Sequence, residues 1–228
     1  MKRLSLILIS AILCFQAVAQ NYDYKPRETW PYLLESFTLG GVHTSVGTDL
    51  NEGFYNISVV DGKLHYIKDG KIMEADMRLI QYARIGDKMY LNRFGQMEEV
   101  LFEEGRYCLL RSSLVDMDRL AKTDIGYGVS SATASAQNLS GLSVSGISQN
   151  MDLQDAIQGA KDGSILPLRT KYSFLMGSRQ IDATKAAVLA IPGIDKAAAK
   201  AFIKQEKIKW SKPDSLAKLL KFFSTNNL

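Results

Sequence analysis

The sequence predicts an α+β protein, with an antiparallel β meander curled into a small barrel or sandwich and then a small helical C-terminal unit with a short β-hairpin. Alternating apolar segments and glycine-containing turns fill residues 54–110, whereas residues 182–223 carry helix caps and helical spacing. An uncharged Gly/Ser/Ala-rich stretch separates these two regions. We therefore expect five segments: a signal peptide 1–19, an extended N-terminal arm 20–50, a β-rich domain 51–125, a flexible linker 126–165 and a C-terminal strand and helical unit 166–228.

The first nineteen residues have the pattern of an export signal. Two basic residues at 2–3 precede a nearly unbroken apolar run over 4–15, and small residues at 17–19 favour cleavage after Ala19. The run is too short to span a bilayer, and no later segment approaches the roughly 20 apolar residues that a transmembrane helix needs. The sequence thus predicts an exported protein, periplasmic or secreted, with no transmembrane segment in the mature chain.

Cleavage would remove Cys14 and leave Cys108 as the single cysteine of the mature chain. A lone cysteine cannot form an internal disulfide, so ordinary apolar cores must hold the fold. Because Cys108 lies in the apolar run 107–110, we interpret it as a small apolar residue of a strand. A reactive thiol is the alternative.

Turn signals define the predicted meander. Apolar residues alternate over 55–60 and 63–68 on either side of Asp61-Gly62, and Asp69-Gly70 follows. Asp-Gly between such runs indicates a β-hairpin, because glycine supplies the positive φ that a tight turn requires. Further turns at residues 86–87, 94–95 and 104–105 separate predicted strands at 88–91, 100–102 and 107–110.

The C-terminal unit begins with a predicted strand over 171–176 that turns at Gly177. Asp182 is then expected to cap a helix that ends near Ala190, and Asp195 to cap a second helix over 196–207. Helical spacing gives that second helix a packing face of Ala198, Ala201, Phe202 and Gln205. A third helix opens at Pro213-Asp214, with an apolar stripe of Leu216, Leu219, Leu220 and Phe223.

Charge is distributed unevenly along the chain. Residues 20–150 carry 13 basic and 17 acidic side chains, whereas residues 181–228 carry nine lysines and four acidic residues. This asymmetry predicts two units with different roles. We interpret the lysines as a solvated helix face, with docking onto the acidic N-terminal domain, onto another envelope protein or onto an anionic envelope surface as the alternatives.

Residues 191–194, Ile-Pro-Gly-Ile, followed by Ala199 and Phe202, resemble the hairpin of the helix-hairpin-helix DNA-binding motif, and the resemblance extends over 181–220. It implies that hairpin amides at a helix N-terminus donate hydrogen bonds to a phosphate, with nearby lysines adding charge attraction. Asp195 departs from the motif, because it stands where the family has its second hairpin glycine. The residues to which the resemblance assigns nucleic-acid contact are Gly193, Ile194, Lys196 and Lys200.

The order of segments also resembles that of uncharacterised exported proteins of Gram-negative bacteria. The resemblance rests on the signal peptide, the β-rich region, the uncharged stretch and the lysine-rich tail over 202–210 and 215–220. It implies an architecture and a compartment, but no activity and no site residues.

Candidate catalytic groups are few. His43 and His65 are the only histidines, and neither has metal-ligand spacing. His43 follows a glycine-rich loop, and we place His65 on a strand surface. The acidic pairs at 98–99 and 103–104 cannot form dyads by themselves, since adjacent strand residues point to opposite faces, so we interpret them as solvated turns.

These observations predict a non-enzymatic envelope or secreted protein with a structural or interaction role, and with neither cofactor nor metal. No phosphate-binding loop, nucleophile elbow or zincin pattern occurs in the sequence. The alternative is a nucleic-acid-binding module at 181–223. A hydrolase with a site near His43 is the third hypothesis.

Overall fold

The computed structural model describes residues 30–47, 51–116, 118, 124–125, 129–130, 151–152 and 167–228. Thirteen strands lie in these ranges: β1 Thr38–Thr44, β2 Asn51–Ile57, β3 Leu64–Lys68, β4 Lys71–Glu74, β5 Ile80–Ile85, β6 Lys88–Arg93, β7 Gln96–Glu104, β8 Tyr107–Val115, β9 Asp124–Ile125, β10 Val129–Ser130, β11 Met151–Asp152, β12 Leu168–Met176 and β13 Arg179–Asp182. Three helices lie in the range 167–228: α1 Lys185–Leu189, α2 Lys196–Gln205 and α3 Pro213–Thr225.

Eleven of the strands form one antiparallel sheet, in the order β11-β4-β3-β2-β1-β5-β6-β7-β8-β12-β13. Strands β9 and β10 pair separately. The α+β class and the antiparallel sheet are therefore confirmed. The meander is present as two runs of consecutive strands, β1 to β4 and β5 to β8, which join where β5 pairs with β1. Across the described residues the sheet is open, with β11 at one edge and β13 at the other.

The predicted turns lie between the strands as expected. Asp69 and Gly70, between β3 and β4, both have positive φ, at 51° and 73°. A two-residue hairpin loop with positive φ at both positions matches the right-handed twist of the flanking strands. Glycine at the second position therefore supports the register in which Lys68 pairs with Lys71.

The N-terminal arm predicted for 20–50 is wrong for residues 38–44. These residues form β1, which pairs with β2 on one side and with β5 on the other. Gly40 and Gly41 suggested a loop, yet at Gly40 the two backbones approach closely. A Cβ atom there would lie 2.5 Å from the carbonyl oxygen of Arg84. Glycine in this strand therefore reflects close backbone packing.

Several predicted segments lie wholly or largely outside the described residues. The signal peptide 1–19 is among them, as is most of the linker 126–165. Within that linker, however, β10 is a strand of a small hairpin and β11 extends the main sheet beside β4. A strand ladder is made by backbone groups, so a sequence poor in large side chains can still contribute to it.

The first helix begins two residues later than the sequence suggested. Asp182 does not cap α1, because it ends β13 in register with Ser173. Thr184 caps α1 instead, and its Oγ1 accepts a hydrogen bond from the amide of Ala187 at 3.2 Å. The cap that the sequence assigned to Asp195 on α2 is confirmed.

The helices pack on one face of β8 and β12. Leu109 and Phe174 are fully buried there and lie in register with each other. Phe223 of α3 meets Phe174 edge-on, with ring centroids 5.1 Å apart. The predicted apolar stripe of α3 is confirmed, since all four of its residues are buried: Leu216, Leu219, Leu220 and Phe223.

The predicted packing face of α2 is wrong by one position. Ala199 and Ile203 are buried, whereas Ala198, Ala201 and Gln205 are exposed and Phe202 is half-buried. Alanines occupy most of the first half of the helix, so the sequence offered several alternative faces. The large side chain of Ile203, which enters the core with α3, decides the rotation.

Among the described residues, no helix combines the length and the apolar character that a membrane crossing would require.

The close approach at Gly40 yields a stability prediction. We expect Gly40→Ala to lower the free energy of unfolding by about 2 kcal/mol or more, because β1 or β5 must move to admit the methyl group. Chemical denaturation measures this loss. Gly47→Ala is the matched control, since its Cβ would meet only the Thr44 hydroxyl, at 3.4 Å. Equal losses in the two variants would contradict the packing argument.

Candidate functional site

The hairpin predicted between α1 and α2 is present. Gly193 is exposed, has a φ of 81° and would have nothing within 4 Å of a Cβ atom. Ile191 and Ile194 anchor the hairpin, the first fully buried in the core and the second packed against it. The chain thus places an exposed glycine turn directly before the N-terminus of α2.

Three amides at this hairpin and in the first turn of α2 already have partners within the chain. Asp195 Oδ1 accepts hydrogen bonds from the amides of Ala197 at 2.8 Å and Ala198 at 3.1 Å. The amide of Ile194 donates to the carbonyl of Ile191 at 3.2 Å. A carboxylate therefore stands at the helix N-terminus, where the helix-hairpin-helix resemblance would place a phosphate.

The lysines of the helical unit are all exposed. On α2, Lys196, Lys200 and Lys204 follow one another at intervals of four residues, which puts them on one side of the helix, one turn apart. We call these three residues the lysine row. The remaining exposed lysines of the unit are Lys185, Lys207, Lys209, Lys212, Lys218 and Lys221.

Few carboxylates compensate these charges. Among the lysines of residues 181–228, all of which the structure describes, only Lys218 forms an ion pair, with Glu206 at 2.8 Å. Asp195 is engaged in capping α2. Like charges at four-residue intervals destabilise a helix by about 0.2–0.5 kcal/mol per pair. The lysine row is therefore a source of positive potential that local pairing does not cancel.

The acidic pair at 98–99 was interpreted as a solvated turn, which is wrong. Both residues lie inside β7 and are buried, with Glu98 8% exposed and Glu99 5% exposed. Glu99 forms an ion pair with the guanidinium of Arg111, which is itself buried on β8. The Nζ atom of Lys88 lies 3.6 Å from Oε1 of Glu99. Buried carboxylates need such partners. Arg111 is 12 residues distant from Glu99, so local sequence could not reveal the pair.

Glu98 points to the opposite side of the sheet and has different neighbours. Its Oε2 atom accepts hydrogen bonds from the Ser173 hydroxyl at 3.2 Å and from the Gln180 amide at 2.8 Å. Burial raises the pKa of Glu98, and these two hydrogen bonds oppose the rise. The sheet thus carries a buried carboxyl group with neutral partners on the face that the helices leave uncovered.

His65 is a strand residue, as predicted, but it is not a surface residue. Its side chain is 14% exposed, and Nδ1 lies 3.0 Å from the hydroxyl of Tyr32, which is 2% exposed. Nε2 is buried and lies 3.9 Å from a carboxylate oxygen of Glu74. Burial lowers the pKa of His65, against the opposing effect of the Asp61 and Glu74 carboxylates.

The remaining histidine, the cysteine and the aspartates near residue 116 are held in contacts within the fold. His43 on β1 stacks on Tyr82 of β5, with ring centroids 4.9 Å apart. Burial raises the pKa of Cys108, which lowers its thiolate fraction and favours the interpretation as a strand residue. Asp116 and Asp118 both hydrogen-bond to Arg169, so neither presents a bare carboxylate.

The described part of the chain contains no group of three or more histidine, cysteine, aspartate or glutamate side chains placed to hold a metal ion. Comparison with protein-family models, with curated proteins and with solved structures finds no match for this chain. A functional hypothesis must therefore be built from the side chains themselves.

The environment of His65 predicts a pH dependence of stability. Because its pKa is lowered in the folded state, the unfolded chain binds the proton first as the pH falls. We expect the free energy of unfolding to decrease below about pH 6.5, by up to roughly 1.4 kcal/mol per pH unit from this group. His65→Gln should reduce that slope in urea titrations between pH 7 and 5. An unchanged slope would contradict the assignment to His65.

Proposed function

We propose that the chain is an exported, non-enzymatic interaction protein of the cell envelope or the secreted fraction, whose lysine row contacts an anionic surface. Export rests on the N-terminal pattern over residues 1–19. The contact rests on one observation, the exposed alignment of Lys196, Lys200 and Lys204 on α2. The eleven-stranded sheet then serves as the scaffold that holds this helix.

The position of α2 supports a docking role. Ala199 and Ile203 fix one side of the helix in the core, so the lysine row cannot turn inward. Each lysine near an anionic lipid surface contributes about 1 kcal/mol of attraction, and the attraction falls off within a Debye length. Three aligned lysines on a rigid helix can reach the same surface together.

Vesicle binding tests this proposal. We expect the mature chain 20–228 to co-sediment with vesicles of phosphatidylglycerol and phosphatidylethanolamine, and to be released by salt. Replacing Lys196, Lys200 and Lys204 with glutamine should weaken binding by roughly 100-fold, at about 1 kcal/mol per lysine.

The control removes the same charge elsewhere. Lys68, Lys71 and Arg84 are exposed on the meander, and their replacement with glutamine changes the net charge by the same amount. The proposal requires the row variant to lose far more affinity than the control. Equal losses of affinity would indicate a net-charge effect. Unchanged affinity in the variant that lacks the lysine row would refute the proposal.

Nucleic-acid binding is the second candidate function, because an exposed glycine turn joins two helices and precedes the lysine row. Gly193 and Lys196 are both exposed at this turn, and Lys200 lies one helical turn further along α2. Against it stands the Asp195 carboxylate, which occupies two amides at the helix N-terminus. Repulsion between this carboxylate and a phosphate would oppose binding.

Fluorescence anisotropy with labelled duplex and single-stranded DNA tests this candidate at low and physiological salt. If the hairpin binds phosphate, Asp195→Ser should raise affinity several-fold by removing the charge while keeping an N-cap. Lys196→Glu should abolish binding in the same background. Absence of binding by the Asp195→Ser variant at low salt would exclude the hairpin as a phosphate site.

A further inference from the structure

A cavity of about 280 Å³ opens on the sheet face opposite the helices. Four strands, β7, β8, β12 and β13, supply its walls. Its volume is near the lower end of the range of small-molecule sites. The side chains that the argument uses are Glu98, Ser112, Lys171, Ser173, Gln180 and Asp182.

The orientation of Glu98 is fixed by a chain of hydrogen bonds. Arg93 Nε donates to Gln180 Oε1 at 3.0 Å, so the amide nitrogen of Gln180 must face the other way. That nitrogen donates to Glu98 at 2.8 Å and to the hydroxyl of Ser173 at 2.9 Å. Both bonds to Glu98 end on Oε2. Oε1 accepts no hydrogen bond from a described residue, and it remains available to a ligand.

The charges around the cavity are not paired with one another. Within the described residues, Glu98, Asp182 and Lys171 form no ion pair. Arg169, also on the wall, is already held by two aspartates. A buried carboxylate without an ion-pair partner is costly, so burial favours the protonated form of Glu98 until a ligand supplies a positive charge. The walls therefore present two carboxyl groups and one ammonium group that form no ion pair among the described residues.

The positions of the two carboxyl groups and the Lys171 ammonium group indicate which charges a ligand would carry. Asp182 pairs with Ser173, whose hydroxyl bonds to Glu98, so the two carboxyl groups lie on one side. Lys171 lies two residues from Ser173 on the same face of β12, about 6.6 Å along the strand. An ammonium group and a carboxylate separated by a few carbon atoms would match this arrangement of charges.

We propose that this cavity binds a short zwitterion, with its ammonium group at Glu98 and Asp182 and its carboxylate at Lys171. Ser112 and Gln180 add neutral hydrogen-bonding groups to the walls. The site lies on the sheet and includes no residue of the lysine row. It is therefore independent of the anionic-surface function proposed above.

Calorimetry with three probes of one chain length tests the assignment. They are 4-aminobutyrate, which carries both charges, butylamine, which carries the ammonium group alone, and butyrate, which carries the carboxylate alone. We expect the affinity for 4-aminobutyrate to exceed that for butylamine at least threefold, with no binding of butyrate. Repeating the titration in buffers of different ionisation enthalpy should reveal proton release, because an ammonium ligand favours the ionised carboxylate of Glu98.

Variants separate the two ends of the ligand. Glu98→Gln keeps the shape and an acceptor for Ser173 and Gln180, and it should lower the affinity of both amines at least tenfold. Asp182→Asn, at an exposed position, makes the same test without disturbing a buried group. Lys171→Met should reduce the affinity for 4-aminobutyrate to that for butylamine, and it should leave the affinity for butylamine unchanged.

Glu103→Gln is the matched control, since Glu103 is exposed on β7 outside the cavity walls. Thermal unfolding of each variant checks that the sheet is intact. Failure of both amines to bind would overturn the proposal. So would equal binding by the native chain and the Glu98→Gln and Asp182→Asn variants, or binding of butyrate alone.

Discussion

The pairing of β12 with β8 is the interaction on which the rest of the structure depends. It runs over nine residue pairs, from Leu168 with Val115 to Met176 with Tyr107. Without it, the helices would lack the surface on which Phe223 packs, and the β12–β13 hairpin would not join the meander. Charge along the sequence suggested two separate units, but this ladder makes the C-terminal strands part of the same sheet as the meander. The helices are an addition to that sheet.

The ladder also gives the sheet two chemically different faces. Two adjacent residues of β7 show the contrast, because Glu99 meets Arg111 on the side where the helices pack, while Glu98 meets Ser173 and Gln180 on the other. On the first side the buried carboxyl group has a counterion; on the second side its hydrogen-bond partners are neutral. One strand thus provides both a structural ion pair and a group suited to ligand binding.

Local signals predicted the elements well, and long-range contacts explain where they failed. The Asp-Gly turns and the apolar stripe of α3 were predictable because interactions between residues close in sequence determine them. Strand β1 was missed because Gly40 indicated a loop. Glycine is required there by the close approach of the β5 backbone, which is not visible in the local sequence. Glu98 was misread because its partners lie more than 70 residues away. The lysine row was visible in the sequence as charge, but its alignment depended on how α2 rotates against the core.

The β8–β12 ladder also bears on the order in which the chain folds. Hairpins from β5 to β8 close short loops, whereas the residues paired in this ladder are more than 50 apart in sequence. The entropy of closing a longer loop makes such pairing a late event. Until it occurs, β8 presents an open edge beside the apolar side chains of Tyr107 and Leu109. The same edge in another molecule would accept β12 equally well, so this topology is open to domain-swapped dimers at high concentration.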